Sequence, residues 1–170
     1  DGIRDKLVTG VQTCALPISP VDVTANPGNG RATITWGVPT DNGGTRITRY
    51  VVQRSADGGA SWVTLARGTT LTPSQYAKWL DNGRTYRFRV AARNAIGRGP
   101  WSAPFSVVPR TKASSPRNVV ATAGDSSVSL TWSAPSSNGG TAVSTYLVEQ
   151  SLDGHNWTTL TDAADPVTKS

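Results

Sequence analysis

The sequence predicts an all-β fold of short antiparallel strands, a sandwich or a barrel. Three observations carry this. Apolar and polar residues alternate at period two, the spacing that sends successive side chains to opposite faces of a strand. Turn-forming pairs separate the alternating runs: Pro27-Gly28, Asn42-Gly43, Asp57-Gly58, Asn82-Gly83 and Gly99-Pro100. No window combines a 3.6-residue apolar period with helix caps.

Taken in order, residues 21–25 form the first strand and residues 31–36 the second. Ala32, Ile34 and Trp36 share one face of the second. Residues 50–52 belong to a third strand and residues 61–66 to a fourth. Over 86–92, Tyr86, Phe88, Val90 and Ala92 face one way, and Arg87, Arg89 and Ala91 face the other. A last strand runs over about 105–108.

The chain repeats itself at an offset of 96 residues. Trp36-x-x-Pro39 recurs as Trp132-x-x-Pro135, Asn42-Gly43-Gly44-Thr45 as Asn138-Gly139-Gly140-Thr141, and Ser55-x-Asp57-Gly58 as Ser151-x-Asp153-Gly154. Trp62 and Trp157 are 95 apart, one residue shorter within a turn. Solenoid repeats run roughly 20–50 residues, so this period marks tandem domains. The polar stretch 111–115, ending before Pro116, reads as the linker between them. From 116 the second repeat has no counterpart of Tyr86-x-Phe88-x-Val90, so it reads as a truncated module with Trp132 and Tyr146 half covered.

Composition narrows the classes further. The 170 residues are 36% hydrophobic before 17 glycines are counted, enough for a packed core. No apolar run is long enough to span a membrane. One Cys and one His supply neither an intrachain disulfide nor a zinc site. The absence of Met, even at position 1, marks the chain as a fragment. Residues 1–18 lack the layout of a signal peptide. They resemble a translated sequencing adapter, the alternative being a disordered tail, and are set apart from the fold.

Charge is concentrated. Residues 21–110 hold 12 basic and 4 acidic side chains, residues 111–170 hold 3 and 5. Such a basic domain invites nucleic acid. No nucleic-acid motif and no aromatic platform accompany it, so a solvated arginine face is expected and nucleic acid is not.

The residues of repeat one match a family. Trp36 with Pro39, Tyr50-x-Val52, Leu80 six before Tyr86, then Phe88, Val90, Ala92, Asn94, Gly97, Gly99-Pro100, Ser102 and Pro104 stand at its spacing. The chain thus resembles the fibronectin type III family, fully over 19–110 and through half a module over 116–160. The resemblance implies a seven-stranded antiparallel, immunoglobulin-like β-sandwich followed by a partial second sandwich. The inward set would be Trp36, Tyr50, Val52, Leu80, Tyr86, Phe88 and Val90, with Tyr86 at a tyrosine corner. Ala77 replaces the family's β-branched or aromatic residue, so the fifth strand near 74–79 should be short or shifted. The Asn-Gly-Gly loop and the Gly-x-Gly-Pro-x-Ser ending look like the bacterial branch.

What the family implies is a non-catalytic extracellular module array: a spacer, adhesion element, or protein- or carbohydrate-binding part of a bacterial secreted or surface protein. Alternatives are accessory modules of a secreted polysaccharide-degrading enzyme, with the catalytic domain outside this segment, and a receptor ectodomain. Location outside the cell or at its surface, and a monomeric state within a larger chain, also follow from the family alone. No cofactor is implied. The residues agree that no enzyme is present. Asp22, Asp41, Asp57 and Asp81 are the acids of repeat one and sit in turns or at strand starts, offering no clefted acid–base pair. His155 reads as a turn residue. Ser55-x-Asp57-x-Gly59-x-Ser61-Trp62 fits an Asp-box pattern but reads as a hairpin turn. The loop 94–100 lacks the Asp of an Arg-Gly-Asp tip.

The expected contact surface is an arginine face. Arg87, Arg89 and Arg93 share outward parity, Arg49 has it on the neighbouring strand, and Arg98 and Trp101 lie at the start of the last strand. A ladder is expected in which Trp101 lies against one or two guanidinium groups. The partner would be an anionic cell-wall or extracellular polymer, or another protein.

Overall fold

The computed structural model describes residues 14–65 and 71–160. The chain divides into two compact units, Asp1–Pro109 and Arg110–Ser170.

Unit 1 contains β1 (Val21–Gly28), β2 (Arg31–Gly37), β3 (Arg49–Ser55), β4 (Val63–Thr64), β5 (Ser74–Lys78), β6 (Tyr86–Arg93), β7 (Arg98–Trp101) and β8 (Phe105–Val107). One sheet has the order β1-β2-β5; the other has β4-β3-β6, with β7 and β8 on successive stretches of the free edge of β6. Every pairing is antiparallel. Counting β7 and β8 as one interrupted strand gives the seven-stranded sandwich. The last strand expected over about 105–108 is β8, and β7 precedes it as a further strand on the same edge. The fourth strand is shorter than expected, and Ala66 falls outside the described residues.

The period-two pattern explains the layers. Ala32, Ile34 and Trp36 of β2 meet Tyr50, Val52, Tyr86, Phe88 and Val90 of the facing sheet in one buried cluster, with Leu80. The Trp36 and Tyr50 rings meet edge to face at 5.2 Å, a geometry the ring quadrupole favours. Tyr86 forms the corner: its hydroxyl accepts from the Asp81 N–H at 3.1 Å and donates to the Asp81 carboxylate at 3.1 Å. Ala77 is buried opposite Ala32, and β5 stops at Lys78, next to Trp79 at φ 60°.

Residues 14–18, set apart in the sequence reading, lie against the loop that joins β2 to β3. Ala15 N–H donates to Gly43 O (2.7 Å), Ile18 N–H donates to Asp41 O (3.1 Å), and Pro17 is fully buried. Any Cβ at Gly43 or Gly99 would run into the Ala15 or Pro17 carbonyl, so both approaches need glycine. Asn94, buried, ties these pieces together. Its amide donates to Ala15 O and Asn42 O, and its carbonyl accepts from Ile96 and Gly97 N–H.

Unit 2 repeats the local pieces. It contains β9 (Arg117–Gly124), β10 (Ser127–Ser133), β11 (Glu149–Gln150) and β12 (Thr158–Thr159). β9 pairs with β10, and β11 with β12. β9 and β10 have the bounds of β1 and β2 shifted by 96. The 111–115 stretch repeats the approach of 15–18: Thr111 N–H donates to Gly139 O (2.8 Å) and Ser114 N–H to Ser137 O (2.9 Å). Trp132 and Tyr146 keep their ring contact at 5.4 Å.

Candidate binding face

The face is built by strand parity. Tyr50, Val52, Phe88 and Val90 point into the core, so Arg49, Val51, Gln53, Arg87, Arg89, Ala91 and Arg93 point outward. Register then sets their neighbours. Gln53 stands opposite Arg89, Val51 opposite Ala91, and Arg49 opposite Arg93. On the other flank, Trp101 stands opposite Ala91 and Arg98 opposite Arg93. All six sequence-predicted residues therefore share one sheet face.

A stack crosses its middle. The Arg89 guanidinium lies 4.1 Å from the Trp62 ring centroid and 4.5 Å from that of Trp101. Arg98 also lies over Trp101, at 4.6 Å. Arg89 donates through Nε (2.9 Å) and Nη2 (2.7 Å) to the Gln53 carbonyl, which fixes the guanidinium plane. The nearby Gln53 amide donates to Thr64 Oγ1 (3.1 Å). The stack covers Ala91, which is fully buried despite its outward parity. Desolvation, then the charge of Arg98, lowers the Arg89 pKa from its ordinary value, although a guanidinium stays charged at neutral pH.

Trp101 is positioned by its neighbour. The β6–β7 ladder shifts register between Ala91 and Arg93. Buried Ser102 closes the gap: its hydroxyl accepts from Val90 N–H (3.0 Å), and its own N–H donates to Val90 O (2.8 Å).

Trp62 and Gln53 are the members that sequence reasoning missed. The sequence places Trp62 at the hairpin and the start of the fourth strand, not on the arginine face. Its signal is the turn before it, which returns the chain along β3. Ser55 Oγ and Asp57 bond to each other, and the Asp57 carboxylate accepts from the Ser61 N–H and hydroxyl. These bonds, that from Ser55 first, hold the Asp57 pKa far below the usual carboxylate range. Gly58 and Gly59 take φ of 75° and 105°, which the turn requires. Arg87 donates to Gly58 O (2.8 Å), joining the turn to the face.

The strands β3, β6 and β7 carry no acidic residue. Among the described residues one ion pair forms, Arg84 with Asp81 at 3.5 Å, beside the tyrosine corner. Among the described residues no group of three His, Cys, Asp or Glu side chains could hold a metal ion, and no helix is long and apolar enough to cross a membrane. His155 sits in an exposed turn, with Nδ1 2.8 Å from Asp153 O.

Comparison with known proteins agrees with the β-sandwich fold. A family model described as "Fibronectin type III domain" matches residues 16–108. The chain is similar to "Myosin-binding protein C, cardiac-type" of Gallus gallus, 29% identical over 161 residues, covering 91% of this chain and 12% of that protein. It is also similar to "Protein sidekick-1" of Homo sapiens, 29% identical over 142 residues, covering 79% of this chain and 6% of that one. The chain thus spans a small part of these relatives. A crystal structure of domains A168-A170 from titin superimposes with a TM-score of 0.50 at 25% identity, covering 55% of this chain and 32% of that chain.

Proposed function

Because the chain belongs to the fibronectin type III family, we propose that it is a non-catalytic binding module in a tandem array, and that its arginine–tryptophan face takes an acidic protein surface. One observation carries this reading. Arg49, Arg87, Arg89, Arg93 and Arg98 share one sheet face, and none of them forms an ion pair among the described residues. A face of one sign steers an oppositely charged partner and sets the on-rate. Trp101 and Trp62 add rigid aromatic area of the kind that anchors interfaces.

The relatives' names support a protein partner: one is a myosin-binding protein, and another similar protein is "Cell adhesion molecule DSCAM" of Homo sapiens. The adhesion names also support a place at the cell surface. The Asn-Gly-Gly loop and the Gly-x-Gly-Pro-x-Ser ending support a bacterial secreted or surface protein as the parent. The 96-residue repeat supports a second module of the same family from 116 onward.

The test is retention of the full chain on immobilised polyglutamate and on an anionic polysaccharide, at rising salt. The expected result is stronger retention on polyglutamate, falling as salt screens the charges. The variant Arg87→Ala/Arg89→Ala/Arg93→Ala should elute early. Equal elution of variant and wild type would reduce the face to scaffold. Preference for the polysaccharide would replace the protein partner with a polymer.

A further inference from the structure

The arginines of this face are not equivalent. Arg89 lies between two indoles and is bonded to Gln53. Arg98 lies over Trp101 and donates to Gly99 O (2.9 Å). Arg87 donates to Gly58 O. Among the described residues the Arg49 and Arg93 side chains have no such partner, and the buried Arg49 Nε has no hydrogen-bond acceptor. Yet the two stand directly opposite each other across β3 and β6, with Arg98 opposite Arg93 on the other flank.

Two costs meet at this point. Like charges directly opposite on neighbouring strands repel. A buried N–H without an acceptor loses its hydration without replacement. One oxyanion between the two guanidiniums removes the first of these costs, because each planar fork can donate charge-assisted bonds to it.

We propose that Arg49 and Arg93 form an oxyanion clamp, and that its occupant is a carboxylate side chain of the partner protein. This rests on the binding-face reading and divides that face by role. The Trp62–Arg89–Trp101–Arg98 stack shapes the surface and holds its own guanidiniums in ring and hydrogen-bond contacts. The Arg49–Arg93 pair takes the ligand. A carboxylate is favoured over a tetrahedral ester because the relatives named above are described as binding myosin or as adhesion proteins.

The test uses the full chain labelled for arginine side-chain NMR, titrated with hexaglutamate and, separately, with inorganic sulfate at matched ionic strength. The Nε–Hε signals of Arg49 and Arg93 should shift and saturate with hexaglutamate. Arg93→Gln should weaken that binding about tenfold, the loss of a charge-assisted contact. Arg31→Gln, on the opposite sheet, should leave it unchanged. Without ligand, Arg93→Gln should not lower the thermal midpoint, since it relieves a like-charge pair. A lowered midpoint would show the guanidinium to be structural and overturn the clamp. Hexaglutamate binding that survives Arg49→Gln/Arg93→Gln, with shifts at Arg87 and Arg89, would overturn the clamp and leave the face reading standing. No saturable binding by the wild type would overturn both. Equal saturation by sulfate would overturn the carboxylate assignment.

Discussion

Ile34 and Leu130 occupy the same position of the repeat, yet Ile34 is 0% exposed and Leu130 is 38% exposed. The two units share the bounds of their first two strands, the glycine loop, the aspartate turn and a Trp–Tyr ring contact. They differ in what faces β2 and β10. In unit 1, Phe88 and Val90 of β6 close the core. Among the described residues of unit 2 no strand stands in the place of β6. The same holds on the surface. Trp62 is partly buried with Arg89 over its ring, whereas Trp157 is 60% exposed and no arginine stacks on it among the described residues. Turns and hairpins therefore follow from a few adjacent residues. Burial and the binding face follow from one strand that supplies both the core row and the arginine row.

The largest way to break this comparison is Trp36→Ala. It should cost unit 1 about 3–5 kcal/mol, as expected for a large buried aromatic, read from denaturant unfolding of the full chain. Trp132→Ala should cost much less, and an equal loss would mean that unit 2 has a closed core. Next in size, Arg89→Ala should lower stability by about 1–2 kcal/mol, two cation–π contacts of roughly 0.5–1 each. It should also make Trp62 as open to acrylamide quenching as Trp157. Unchanged quenching would mean that the stack does not shield Trp62. Tyr86→Phe removes the corner hydroxyl and should cost about 0.5–1.5 kcal/mol in unit 1 alone.

The smallest effect concerns pH and should be shared. Asp57 and Asp153 are both depressed below their ordinary value of 3.8, Asp57 chiefly by the Ser55 bond and Asp153 chiefly by the Asn156 N–H. A depressed folded pKa contributes stability that is fully present above the unfolded value and is lost as pH falls through the folded one. Acid titration of both hairpins, followed by amide shifts, should show them loosening together below about pH 4. Asp57→Asn should remove this response from the first hairpin only.

Much of the fold was legible in the sequence because alternation and turn chemistry are local. The inward row Tyr86, Phe88, Val90 and the outward row Arg87, Arg89, Arg93 both followed from parity on one strand. Less legible was anything set by a register shift or by distant backbone. The break between β7 and β8 depends on the Ser102 hydroxyl replacing a ladder bond, which no periodicity encodes. The packing of 14–18 depends on Gly43 and Gly99 leaving room for carbonyls. The place of Trp62 against Arg89 needed the path of the hairpin as well as its composition.

If the arginine–tryptophan face of unit 1 is the contact surface, an acidic polypeptide added to the full chain touches it there and nowhere else. Amide and arginine side-chain NMR shifts on adding polyglutamate should concentrate on β3, β6 and β7 and should vanish at high salt. β9 and β10, which repeat the strands of unit 1 without its arginine face, should stay unmoved. Shifts centred on β1-β2-β5 or on unit 2 would contradict the account.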